Sequence, residues 1–302
     1  MNAVKTVFLL TLLSAIFLVL GYLVGGTFGL IVAFVLALGM NFFSYWFSDK
    51  LALKMSGARE ATQDQEPHLH RIVDEVSAMA GMPKPKVYII QNDAPNAFAT
   101  GRNAKHSAVA ATTGIMRILD DRELTAVLGH ELGHIRNRDI LVSAIVATVA
   151  SAIMFIAFIG RWSLFFGFGR SRNGYAGIIQ LVAILAMVIL APIAAMMIRM
   201  AISRQREYGA DETGAAITHT PLALASALEK LETYSQARPM NVNPAVSHLF
   251  IVNPFKTGAR QEQGGNDFAM GFFGSNTFST HPPIAKRVER LNEIARKMGV
   301  YA

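Results

Sequence analysis

The 302-residue chain contains no cysteine. Disulfides and thiolate metal sites are therefore excluded, and any bound metal ion must be held by histidine, aspartate or glutamate side chains. The absence of cysteine fits a reducing compartment but does not establish one.

Charged residues are also scarce. Soluble domains contain about 25% charged residues, whereas this chain contains 16%, with 52% hydrophobic residues and a mean hydropathy of +0.34. This composition favours a membrane protein. The net charge of +7 does not indicate a nucleic-acid-binding protein, because the basic residues cluster beside apolar runs and no nucleic-acid-binding motif is present.

Long stretches of the chain carry no charge at all. The run from Thr6 to Ser48 is too long for one crossing, and a glycine-rich break divides it into two predicted spans at about 7–24 and 27–47. A signal peptide is the alternative for the first span, but no persuasive cleavage site precedes the second. Two further uncharged runs, Ile140–Gly160 and Tyr175–Ile198, predict a second transmembrane hairpin.

These runs divide the chain into four segments. We expect transmembrane hairpins at 1–48 and 140–199, and the two halves of one soluble domain at 49–139 and 200–302. Basic residues flank the soluble segments, so the positive-inside rule predicts that this domain and both termini are cytoplasmic.

Both helices and strands are predicted in the soluble segments. Helical periodicity, caps and breakers indicate helices, and short β-branched or alternating runs bounded by turn residues indicate strands. The predicted helices cover 66–82, 120–139, 222–234 and 284–298, and the predicted strands cover 86–91, 96–101 and 107–116.

The motif H-E-x-x-H occurs once, as His130-Glu131-Leu-Gly-His134. Residues four apart share one face of a helix, so both imidazoles can reach one metal ion. Glu131 lies about 100° round the helix from His130, where it can act as a general base without being a ligand. A pair of surface histidines is the alternative, but chance matches are on the order of 0.01 per chain.

A catalytic zinc site needs a third protein ligand and an open position. Glu207 and Asp211 are four apart on a predicted helix directly after the last predicted span. Glu207 can ligate a metal, and Asp211 can hydrogen-bond a ligating histidine. The alternative is a solvated acidic face paired with nearby arginines. Two predicted spans separate His134 from Glu207, and an even number of crossings returns Glu207 to the same side of the membrane.

The motifs together resemble the HtpX family of bacterial membrane zinc metalloproteases, which is related to the CAAX prenyl proteases. The resemblance covers essentially the whole chain, through NAFATG, HELGH, SRQREYGAD, HLFIVNPF and STHPPIAKRVERL. It implies an α-helical multi-pass membrane protein with four transmembrane helices and an α+β, zincin-like (gluzincin) protease domain. It also implies one Zn²⁺ per chain, held by His130, His134 and Glu207, with Glu131 as the general base.

Two further roles follow from the resemblance. Asp211 would orient a ligand histidine, as in gluzincin-type sites. His281 would stabilise the oxyanion, with an N-terminal cap of the last helix as the alternative.

A predicted strand precedes the zinc motif and carries the candidate substrate contacts. An extended substrate can add to the edge of such a strand, which makes Asn96, Ala97, Phe98 and Ala99 candidates, with Asn96 the foremost side chain. An ordinary sheet strand is an equally weighted alternative.

The sequence therefore predicts a zinc metalloendopeptidase of the bacterial inner membrane, active at the cytoplasmic face. The resemblance implies quality control of misfolded membrane proteins under stress, with membrane or unfolded proteins as substrates and the lipid bilayer as a partner. The alternatives are a processing protease of the CAAX-prenyl-protease type, a non-catalytic zinc-binding scaffold and a transporter. Four spans argue against the first, the non-ligating Glu131 against the second, and the uncharged spans against the third.

Overall fold

The computed structural model describes residues 51–139, 204–237, 250–251 and 282–301, with scattered positions between 27 and 50. Apart from scattered positions in the second, the four predicted spans lie outside the described residues, so their number stays a prediction. Within the described part of the chain, no helix combines the length and apolar character needed to cross a membrane.

The chain divides into two units. One contains Met1–Tyr45 and Val142–Ile202, and the other contains Trp46–Leu141 and Ser203–Ala302. In the first unit, the described positions from 27 to 42 are helical, and they expose large apolar side chains, including Phe28 and Phe42.

The second unit contains a four-stranded mixed sheet. Its strands are β1 (Arg59–Glu60), β2 (Lys86–Ile90), β3 (Ala97–Asn103) and β4 (His106–Thr112), in the spatial order β1-β2-β4-β3. β2 pairs in parallel with β4, whereas β1 pairs antiparallel with β2 and β3 antiparallel with β4. Among the described strands, β3 therefore lies at an edge of the sheet.

The predicted hairpin is formed by β3 and β4, but the strand predicted over 107–116 was wrong beyond Thr112, because a helix begins at Thr113. Their register shifts between Gly101 and Asn103, which is a bulge near the hairpin tip. Gly101 has φ of 141°, and a side chain there would meet the backbone of His106 and Ser107. Glycine is therefore required at this position, since other residues rarely adopt this conformation.

After β1, the described part of the second unit includes six helices. They are α1 (Pro67–Ala80), α2 (Thr113–Ile118), α3 (Asp121–Asn137), α4 (residues 204–218), α5 (Pro221–Ala237) and α6 (Ile284–Met298). α3 contains the H-E-x-x-H motif and packs against α1, α5 and β3. The fully buried leucines of α3 at 124, 128 and 132 recur every four residues, so one face of this helix lies in the hydrophobic core.

The start of α3 is fixed by a capping box. The Asp120 carboxylate accepts the Glu123 backbone N–H at 2.8 Å, and the Glu123 carboxylate accepts the Asp120 backbone N–H at 3.1 Å. Glu123 is buried and also accepts hydrogen bonds at 2.7 Å from Ser226 Oγ and Lys230 Nζ of α5. This carboxylate therefore joins the first turn of the motif helix to α5.

Candidate metal centre

Three potential metal ligands meet beside α3. The Nε2 atom of His130 lies 3.2 Å from Nε2 of His134 and 3.8 Å from Oε2 of Glu207, and His134 Nε2 lies 3.5 Å from Glu207 Oε1. Zinc bonds of about 2.0–2.1 Å in tetrahedral geometry place ligand atoms roughly 3.3 Å apart. The donor set and its spacing therefore fit one zinc ion, and one ligand atom from each of these residues lies within 4.8 Å of the others.

The two histidine rings are oriented by carboxylates. His130 Nδ1 lies 2.9 Å from Asp211 Oδ1, and His134 Nδ1 lies 2.9 Å from Asp139 Oδ2. A carboxylate only accepts, so each ring donates its Nδ1 proton and leaves its Nε2 lone pair available. This is the arrangement that orients metal-binding histidines.

Asp139 was not anticipated from the sequence. Arg138 ends α3 in the left-handed region, with φ of 58°, and the following aspartate is thereby directed back to His134. The local signal is an aspartate directly after the motif helix and directly before an uncharged run. That signal is weak, because a carboxylate at such a boundary also suits a solvated helix end.

Glu207 and Asp211 reach the histidines because α3 and α4 pack closely through glycines. A Cβ atom at Gly214 would lie 2.7 Å from the backbone nitrogen of His130, and one at Gly133 would lie 3.1 Å from the Ala210 carbonyl oxygen. The absence of side chains at these two positions lets the backbones approach. The sequence predicted that Glu207 and Asp211 share a helix, and the structure brings both to the motif.

Arg287 of α6 was also not anticipated. Its side chain is fully buried; Nε lies 2.9 Å from Asp211 Oδ2, and Nη2 lies 2.7 Å from Asp211 Oδ1. Nη1 lies 3.3 Å from Glu207 Oε2 and 3.4 Å from the Ile251 carbonyl oxygen. One arginine therefore contacts a candidate ligand and the carboxylate that orients another.

The opposite charges in this buried cluster shift the pKa values of its members. Burial alone would raise the pKa of Asp211, but the Arg287 guanidinium and the hydrogen bond from His130 lower it below its ordinary value. Burial opposes the charge of Arg287, yet the carboxylates of Asp211 and Glu207 raise its pKa. Burial lowers the pKa of His130, which favours the neutral, ligating form.

Glu131 lies on the sheet side of the cluster. Its Oε2 accepts the backbone N–H of Ala99 at 2.7 Å, and only 1% of the residue is exposed. With the protein groups alone, burial raises the pKa of Glu131 to about 8, although the charge of His134 opposes the shift. Burial lowers the pKa of His134, but the hydrogen bond to Asp139 and the Glu207 charge outweigh it and raise the pKa to about 9.

The four predicted substrate contacts lie at or beside the edge strand. Asn96 is buried, and its Oδ1 accepts the backbone N–H of Ala97 at 3.1 Å. The Phe98 side chain is fully buried and packs edge-on against Phe250, with ring centroids 5.1 Å apart. The Phe98 ring is thus part of the core, whereas Ala97 and Ala99 direct backbone groups to the outer edge. Substrate binding by these residues stays a prediction.

One predicted site residue lies outside the described residues. His281 directly precedes the described Pro282, so both readings of its role stay predictions.

Comparisons with known proteins show the family to which the chain belongs. The model of peptidase family M48 matches residues 63–295. A protease HtpX homolog of Persephonella marina is 50% identical over 99% of both chains, and one of Aquifex aeolicus is 49% identical over 95% of this chain and 91% of its own. A crystal structure of S. mikatae Ste24p shares the fold, with a TM-score of 0.55 and 19% identity; the match covers 93% of this chain and 62% of the Ste24p chain. The resemblance stated from the sequence is thereby confirmed: the chain belongs to peptidase family M48 and is a metalloprotease.

Proposed function

We propose that the protein is a membrane-bound zinc endopeptidase that hydrolyses unfolded or membrane-protein substrates at the cytoplasmic face of the bacterial inner membrane. The position of Glu131 supports the catalytic part of this proposal. Glu131 is a buried carboxylate beside the three candidate ligands, and it contributes no atom to the ligand cluster. A site built only to store a metal has no need of it.

The ligands and Glu131 have separate roles in the proposed reaction. His130, His134 and Glu207 would hold the zinc ion, which supplies Lewis-acid polarisation of the scissile carbonyl and acidifies water. The Ala99 N–H holds Oε2 of Glu131 at 2.7 Å, so Oε1 is the oxygen that accepts the proton of the attacking water. The same carboxyl group then delivers that proton to the leaving amine, as a general base and acid must.

The membrane part of the proposal rests on the uncharged runs in the sequence. Their basic flanks favour a cytoplasmic active site, and quality control of misfolded membrane proteins follows from the HtpX resemblance. A processing protease of the CAAX-prenyl-protease type is the second candidate, favoured by the fold that the chain shares with Ste24p.

Glu131→Gln tests the catalytic mechanism. We expect the purified variant in detergent to bind zinc near one equivalent per chain and to lose cleavage of an unfolded protein such as casein. Glu75→Gln is a matched control, because Glu75 is an exposed glutamate of α1 paired with Arg71. Full cleavage by Glu131→Gln would rule out this base, and zinc binding without cleavage by wild type would favour a narrow processing enzyme or a scaffold.

The orientation can be tested separately, because the chain has no cysteine. Glu75→Cys introduces a single exposed thiol in the soluble part. We expect an impermeant maleimide to label it in inverted membrane vesicles and not in right-side-out vesicles, and the reverse pattern would contradict a cytoplasmic site.

A further inference from the structure

A cation–π contact joins the end of the second predicted span to the sheet. The Arg102 guanidinium carbon lies 4.3 Å from the centroid of a Trp46 ring. Trp46 is near the end of the uncharged run, and tryptophan is enriched where membrane helices meet the headgroups. The β3–β4 hairpin, which contains Arg102, is thereby expected at the bilayer surface.

The residues that follow Trp46 and Arg102 in the chain include exposed basic and apolar side chains, as a headgroup-facing surface should have. Lys50, Lys54 and Lys105 are exposed, and none of the ion pairs found between described residues involves them or Arg102. Leu51 is also exposed, at 47%. Exposed cations beside apolar side chains complement the anionic lipids of a membrane surface.

The same strand reaches the catalytic base. β3 runs through Ala99, whose N–H donates to Glu131, and continues to Arg102 at the Trp46 contact. Three residues of extended chain span roughly 10 Å, at about 3.4 Å per residue. One strand therefore connects the candidate active centre to the expected membrane surface over a short, fixed distance.

The other end of the same edge is already paired. The backbone N–H of Ile251 donates to the Ala97 carbonyl oxygen at 3.1 Å, and Phe250 packs on Phe98. A substrate strand that adds to β3 is thereby directed to the part between Ala99 and the hairpin tip, which is the part nearest the bilayer.

We propose that β3 sets the distance between the bilayer surface and the scissile bond. The substrate class is then membrane proteins with an extended juxtamembrane segment, cut about three to five residues from the membrane surface, as roughly 10 Å of extended chain requires. This inference rests on the proposed protease function and adds to it a rule for where the cut falls.

The test uses the full-length zinc-loaded protein in vesicles of phosphatidylcholine and phosphatidylglycerol. The substrate is a single transmembrane helix followed by an unfolded linker made of one short repeated sequence, so that every distance offers the same residues. Mass spectrometry locates the cuts. We expect them to cluster in the first few linker residues, and cuts spread evenly along the repeats would overturn the inference.

Arg102→Glu tests the anchoring contact. We expect the cuts to spread along the linker or to shift away from the membrane, which is a change of position that a merely destabilised enzyme would not produce. Arg117→Glu is the matched control, because Arg117 is an exposed arginine outside the hairpin, paired with Asp93 at 2.6 Å. An unchanged cluster in Arg102→Glu would overturn the anchoring role.

The same repeat sequence without the membrane helix separates the two proposals. Cleavage of this soluble peptide, together with evenly spread cuts in the tethered substrate, would leave the protease function standing and remove the distance rule. Cleavage of neither substrate would remove both.

Discussion

Arg287 and Asp211 form a paired set of hydrogen bonds, at 2.7 and 2.9 Å, between two fully buried side chains. The Asp211 oxygen that accepts Arg287 Nη2 also accepts His130 Nδ1. A buried carboxylate is costly without a matching charge, so the arginine lets Asp211 stay ionised beside the histidine. The orientation of a candidate zinc ligand thus depends on a residue of the last helix.

Arg287→Met should therefore destabilise the protein and weaken zinc binding. Removing one partner of a buried ion pair costs about 3–5 kcal/mol of unfolding free energy. Loss of a residue that orients a metal ligand lowers metal affinity about 10–100-fold. Zinc titration against a competing chelator and thermal unfolding measure the two effects.

Arg290→Met is the control for Arg287→Met. Arg290 lies on the same helix but is partly exposed, stacks on Tyr208 and pairs with Glu212 at 3.7 Å. We expect a change in unfolding free energy below about 1 kcal/mol, as for an exposed pair. Equal effects of the two substitutions would show that Arg287 has no special role in the centre.

Periodic elements of this fold could be predicted from the sequence. The helix predicted over 284–298 matches α6, and the hairpin predicted across residues 102–106 matches β3 and β4. Both elements could be predicted because apolar spacing and turn residues are local signals in the sequence. The zinc motif and the Glu207–Asp211 pair could be predicted for the same reason, because each is defined by a spacing of four residues within one helix.

Arg287 and Asp139 could not be assigned by those signals. Arg287 lies three residues after Ile284 and four before Leu291, so it occupies an apolar stripe, but two basic residues in a row suggest a solvated face. Its carboxylate partners, Asp211 and Glu207, are 76 and 80 residues away in the chain. The position of the Asp139 side chain depends on the left-handed turn at Arg138, which no local sequence pattern predicts. Both roles are set by tertiary contacts.

Asp139→Asn should weaken zinc binding while leaving the fold intact. The amide can still accept a hydrogen bond from His134 Nδ1, but it lacks the charge that raises the basicity of the ring. Loss of such a carboxylate lowers metal affinity about 10–100-fold, measured by chelator competition. Asp93→Asn, at an exposed aspartate, is the control, and wild-type affinity in Asp139→Asn would contradict the orienting role.

Glu123→Ala should destabilise the start of the motif helix. The substitution removes half of the capping box and leaves Ser226 and Lys230 of α5 without their buried acceptor. Loss of a cap costs about 0.5–2 kcal/mol, and the cross-helix bonds add to this. Urea unfolding measures the change, with Glu229→Ala on α5 as the control. A midpoint equal to that of the control would mean that Glu123 does not fix the helix.

Gly214→Ala should disturb the centre without changing any ligand. A methyl group at this position would lie 2.7–3.0 Å from backbone atoms of Gly129 and His130, which cannot move aside as a flexible side chain can. Overpacking of this kind costs about 1–3 kcal/mol, and any separation of α3 from α4 moves Glu207 and Asp211 away from the histidines. Thermal unfolding and zinc affinity should both fall.

Gly209→Ala is the matched control on the same helix. Among the described residues, a Cβ atom there meets only Asn137 Nδ2, at an ordinary contact distance of 4.0 Å. Alanine favours a helix over glycine by about 1 kcal/mol, so this variant should be as stable as wild type or more stable. If Gly214→Ala behaved like Gly209→Ala in both measurements, the close approach of α3 and α4 would not be what brings the carboxylates to the zinc motif.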